Sequence, residues 1–136
     1  MEIVRSSYAY TFKNGDSRTI CCQVTDIDST QFEGSNAKTV EISSGITSIG
    51  GYAFNVCTNL VSVTIPDSVT SIGGYAFNAC SSLSSITINS STPPTLSGSL
   101  GSGMGNFTIY VPSASVNTYK AASGWSQYAN NIQAIA

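Results

Sequence analysis

The chain has 136 residues, 41% of them apolar and only 9% charged, a net charge of −2 and no histidine. Soluble domains usually carry about 25% charged residues, so Ser, Thr, Asn and Gly must cover this surface. There is no basic cluster to hold a nucleic-acid backbone and no apolar run long enough for a spanning helix, and the lack of histidine and of C-x-x-C spacing removes the common metal sites.

The first stretch, MEIVRSSYAYTF, has one Arg and no apolar h-region, so no signal peptide is expected. Next, SSYAYTFKNGDSRTICCQV predicts two strands around Asn14-Gly15, a strong hairpin signal. Residues 1–25 are thus read as a hairpin capping the end of a core. Cys21 and Cys22 are neighbours, and in a strand they would face opposite sides. Residues 26–39 look like a worn repeat, because Ile27 and Phe32 stand 22 positions before Ile49 and Phe54. Asp26 and Asp28 would share one face of a strand. That arrangement suggests a weak calcium site or a solvated turn, and the turn is favoured.

Two full units follow, 40–62 and 63–85. They match at 14 of 23 positions, and SIGGYAFNVC and SIGGYAFNAC differ at one residue in ten. A period of this length is the mark of a solenoid, whose single turn cannot bury its own apolar face. Val40 and Ile42, Val63 and Ile65, and Ile86 and Ile88 alternate as short half-buried strands do. Ile46/Val69, Ile49/Ile72, Phe54/Phe77 and Leu60/Leu83 continue as inward anchors. The Gly-Gly pairs are expected to make a tight bend where side chains would clash, and Pro66-Asp67 to turn the chain after its strand. Cys57 and Cys80 read as buried thiols stacked one period apart; a disulfide is the lesser option, since stacked strands lie within bonding range. Tyr52 and Tyr75 are expected with rings packed and hydroxyls wet, an outward aromatic ladder being the lesser option.

Residues 86–136 read as a partial repeat and a C-terminal cap. They hold a Ser/Gly-rich loop, a last strand FTIYV, a helix capped by Ser113 and stopped by Gly124, and Trp125, Tyr128 and Ile132 spaced to cover the core end. The whole of 1–136 is taken as one domain.

SIGGYAFNxCxxLxSxTIP resembles the BspA-type leucine-rich repeat of bacterial surface proteins, and the tail from TPPTLSGSLGSG to WSQYANNIQAI looks like the cap that ends many such arrays. The resemblance covers about residues 26–135. It implies a mainly β, right-handed leucine-rich-repeat solenoid with a parallel strand ladder, closed by the N-terminal hairpin and by a strand-helix cap. It also implies recognition of a protein or matrix partner, or adhesion, outside the cell or on its surface. The missing signal peptide keeps a virion or the cytoplasm open.

For catalysis, a Ser or Cys nucleophile would lack a histidine base, and no phosphate-cradling or nucleophile motif is present. The reading is therefore a non-enzyme with no cofactor and no metal. A binding surface falls on the outward strand positions Thr39, Glu41, Ser62, Thr64, Ser85, Thr87, Thr108 and Tyr110. Glu41 is its one charge and Tyr110 its best hot-spot candidate. The partner is then a protein, matrix or glycan ligand, with no nucleic acid and no membrane insertion. The alternative function is a structural capping or assembly domain of a surface or virion complex, through self-association.

Overall fold

Where apolar residues alternate with hydroxyls, the chain extends and pairs with the next unit in parallel. The structure, a computed structural model, describes residues 26–135 in full and, before them, the backbone of three short strands, β1 (Glu2–Val4), β2 (Ala9–Thr11) and β3 (Ser17–Thr19). The strands that follow are β4 (Asp26–Ile27), β5 (Thr39–Ile42), β6 (Ser48–Ile49), β7 (Ser62–Ile65), β8 (Ser71–Ile72), β9 (Ser85–Ile88), β10 (Thr95–Leu96), β11 (Thr108–Val111) and β12 (Ile132–Ala134). One sheet has the order β1-β5-β7-β9-β11-β12 and a second β4-β6-β8-β10, with every pair parallel. β2 and β3 pair antiparallel, Tyr10 opposite Arg18. The Asn14-Gly15 turn and the Cys21-Cys22 pair lie outside the described residues.

Stacked columns of buried side chains fill the core, and three of them show the register. Val40, Val63, Ile86, Ile109 and Ile132 stand at paired positions of the larger sheet, and Ile27, Ile49, Ile72 and Leu96 do so on the smaller. Phe32, Phe54 and Phe77 stack face to face with centroids 5.3 and 5.4 Å apart. All of these are buried. At about 1.5–3 kcal/mol per buried large side chain, the columns dominate the stability of the fold. On the third side, where no strand forms, the main chain still bonds from rung to rung: Phe32 N donates to Ala53 O, Phe54 N to Ala76 O and Phe77 N to Leu100 O, at 2.8, 2.8 and 2.9 Å.

The glycine pairs act differently from the expected bend. Gly50 and Gly73 have no left-handed φ; they are where one rung's backbone touches the next. A Cβ on Gly50 would stand 2.5 Å from Ser29 N, and one on Gly73 would overlap the Gly51 main chain at 2.3 Å. The bend falls on the residues after them. Thr30, Tyr52 and Tyr75 adopt φ of 58°, 56° and 60°, and Val56 and Ala79 adopt 59° and 58°. A β-branched residue such as Val56 is costly there, by roughly 1–2 kcal/mol. The second of these columns begins at Gly34 and ends at Gly103, both also at positive φ.

The C-terminal cap also departs from expectation. The last strand is β12 and not FTIYV, which forms β11; Ile132 pairs with Ile109 and extends the apolar column by one rung. Ser113 caps no helix: a 3-10 turn covers Ser113–Ser115, and the α-helix, α1 (Val116–Ala121), starts after it with no side-chain cap bond. The Ser115 hydroxyl instead donates to Ser91 O at 2.9 Å. α1 ends at Ala121, before Gly124, whose φ of 82° places it against Leu96. Trp125 and Tyr119 are fully buried in an edge-on pair, centroids 5.6 Å apart, and Ile132 is buried beside them. Tyr128 is half-buried against the core, its hydroxyl accepting from Leu100 N at 2.9 Å.

Two substitutions on the turn side separate these effects. Gly73→Ala forces backbone apart and should lower stability by about 3 kcal/mol or more. Val56→Asn removes an exposed β-branched side chain from left-handed backbone and should raise stability by about 1 kcal/mol, or roughly 3 °C in Tm. Thermal unfolding followed by circular dichroism reads both.

Candidate interaction surface

The eight outward residues marked in the sequence fall in two rows across the larger sheet. Thr39, Ser62, Ser85 and Thr108 are successive partners along the first row, and Glu41, Thr64, Thr87 and Tyr110 along the second. At the level of the second row, main-chain pairing continues from Glu41 to Ile3 on one side and from Tyr110 to Gln133 on the other. Each row arises because Val40, Val63, Ile86 and Ile109 take the inward position between the two outward ones. Glu41 is exposed, and the other seven residues are half-exposed. Rung spacing of about 4.8 Å sets the side chains in an even grid. One charge and one aromatic ring stand at opposite ends of the second row, with threonines between them.

Two further ladders lie on the turn side. Tyr52 and Tyr75 are 41% and 39% exposed with ring centroids 5.5 Å apart, so their rings form an outward ladder and are not packed down. Left-handed backbone at both residues accounts for this, since it directs the side chain away from the core column. Beside them runs a polar ladder. Asn55 Nδ2 donates to Glu33 Oε2 at 2.7 Å, Asn78 Nδ2 donates to Asn55 Oδ1 at 3.0 Å, and Ser102 N donates to Asn78 Oδ1 at 3.0 Å. The identity of Asn55 and Asn78 in the two copies was its only trace in the sequence.

Asp26 is not arranged with Asp28 as a cation pair. Its carboxylate accepts from Ser48 Oγ at 2.6 Å and from Thr47 Oγ1 at 3.3 Å, while Asp28 lies past the strand in an exposed turn closed by Gln31. Among the described residues no group of three or more Asp, Glu, Cys or His could hold a metal ion.

The family described as BspA type leucine-rich repeat region (6 copies) matches residues 3–117. In fold the chain is similar to a crystal structure of a leucine-rich repeat protein from Bacteroides capillosus ATCC 29799, with a TM-score of 0.57 and 23% identity over 79% of this chain and 75% of that one. No curated protein matches the sequence.

Cys57 and Cys80 are buried and form no disulfide. Their thiols donate to Phe32 O at 3.3 Å and Phe54 O at 3.1 Å. The hydrogen bond with Cys57, followed by burial, holds the Cys80 thiol well above the ordinary thiol range. A raised thiol pKa favours the neutral form in the folded chain. Its stabilising effect is therefore complete below about pH 8.5 and declines above it, where the unfolded chain ionises first. In a Cys21→Ser, Cys22→Ser background, Ellman's reagent should leave both thiols untouched until the protein unfolds. The urea midpoint should fall above about pH 8.5, and Cys80→Ser, which keeps a donor but does not titrate there, should flatten that fall.

Proposed function

The chain belongs to the BspA-type leucine-rich repeat family, and we propose that it is a non-enzymatic recognition module whose larger sheet docks a protein or extracellular-matrix partner on its outward face. Leucine-rich repeats serve generally in protein interaction, families of this kind are typically non-enzymatic, and BspA-type repeats are usually surface-associated. Among the described residues no helix is long and apolar enough to cross a membrane.

The observation that carries this reading is the register that sets Glu41, Thr64, Thr87 and Tyr110 in one row. Main-chain pairing fixes their spacing, so little ordering cost remains when a partner arrives. Tyr110 supplies a rigid amphipathic anchor of the kind enriched at hot spots. Glu41 supplies orientation and steering. The intervening hydroxyls favour weak, polar contact made strong by multiplicity.

An assembly domain is the second reading. It is favoured by β12, which ends the larger sheet next to Ile135, 39% exposed. On an array of extracellular-matrix proteins, Tyr110→Ala should weaken capture by about 2 kcal/mol, and Glu41→Lys should slow association and reverse its salt dependence. Neither should move Tm. If nothing is captured and light scattering shows a defined oligomer that Ile135→Glu dissolves, the recognition reading gives way to assembly.

A further inference from the structure

The corner joining β9 to β10 is built differently from the corners before it. Ser48 pairs with Ser71 and Ser71 with Thr95, so the second step is one residue longer than the first. On the larger sheet Ser62, Ser85 and Thr108 stay evenly spaced. The extra residue therefore falls within 89–94. This lengthened corner, with Asp67, Val69 and Thr70 of the rung before and Pro112 of the cap, lines an open groove of about 840 Å³. That lies within the range of small-ligand sites, roughly 300–1,000 Å³.

The cap holds the corner rigid. Tyr119 donates its hydroxyl to Ser90 O at 2.7 Å, Ser115 to Ser91 O at 2.9 Å, and Trp125 Nε1 to Pro94 O at 2.7 Å. Inside the corner, Ser90 Oγ donates to Thr92 O and accepts from Thr92 N. Burial raises the Tyr119 pKa above the ordinary tyrosine value, so its hydroxyl stays a donor.

The same bonds restrict what the groove can recognise. Its main-chain carbonyls at Ser90, Ser91, Thr92 and Pro94 are engaged, as are the amides of Asn89 with Ile65 O and Thr95 with Thr70 O. Its prolines have no amide. A peptide strand would find no free ladder here, and a metal ion would find one carboxylate. The side chains of Asp67, Asn89, Ser91, Thr92 and Thr95 are exposed and take no partner among the described residues. A carboxylate accepts from two hydroxyls, a carboxamide both donates and accepts, and threonine hydroxyls do either. The ring faces of Pro93 and Pro112 can cover an apolar C–H face.

We propose that this groove is a binding site for a neutral saccharide unit, with Asp67 and Asn89 taking neighbouring ring hydroxyls and the proline faces taking the ring's C–H side. It shares no residue with the outward strand face, so each surface stands or falls alone.

The test is an amide-shift titration of the intact chain by nuclear magnetic resonance, using the methyl glycosides of mannose, galactose, glucose and N-acetylglucosamine, with glycerol and a pool of short peptides as further probes. At least one glycoside should give saturable shifts confined to 67–70 and 89–95. Asp67→Ala and Asn89→Ala, both at exposed positions, should each weaken it about tenfold without changing Tm. Shifts elsewhere, shifts unaltered in both variants, an equal response to glycerol, saturation by peptides alone, or no saturable response to any glycoside would overturn the proposal.

Discussion

One rung of this chain satisfies neither its apolar side chains nor its main-chain amides; the next rung satisfies both. The apolar columns and the rung-to-rung hydrogen bonds arise from the same translation, so each fixes the other's register. A slip of one residue along a strand would turn Val63 and Ile65 outward and Thr64 inward. Gly50 and Gly73 show how close the approach is, because a single methyl group at either would collide with backbone. The fold is a stack in which every contact of consequence is with a neighbour.

Such a stack has two ends, and the described end is closed chemically as well as sterically. Ile132 adds a rung to the apolar column, and Tyr119, Ser115 and Trp125 engage carbonyls of the last corner that a further rung would otherwise have met. Each is a hydrogen bond to a group that would be costly to bury unpaired. Closing the core in this way also stiffens the corner and engages the carbonyls of Ser90, Ser91, Thr92 and Pro94. The groove outside it presents the side chains of Asp67, Asn89, Ser91, Thr92 and Thr95.

The sequence disclosed the stacking because the period is written in residue types that only stacking explains: Val40 under Val63 under Ile86, Phe32 under Phe54 under Phe77. The outward rows followed from the same alternation, which is why Glu41 and Tyr110 could be placed before any coordinate. Left-handed backbone at Tyr52 and Val56 was not legible, since these residue types disfavour it locally and the stack imposes it. That single fact turned the tyrosine rings outward. The Asn55-Asn78 ladder hid inside a motif whose identity was already accounted for by packing. β12 is not legible because Ile132 reads as a plug for the core end, and a strand of three residues leaves little alternation to detect. Ser113 carried a capping signal, but Pro112 and the short 3-10 turn moved the helix start beyond it.

The central claim is that register-matched rungs are interchangeable units. Excising residues 63–85 removes one whole rung and places Ile86 against Val40, whereas excising 63–82 removes most of a rung and breaks the register. Denaturant unfolding followed by circular dichroism compares the two. The account predicts that the first deletion unfolds cooperatively, with a lower midpoint and an m-value reduced with the buried surface, and that the second does not fold. Equal folding of the two, or loss of cooperative unfolding in the first, would contradict it.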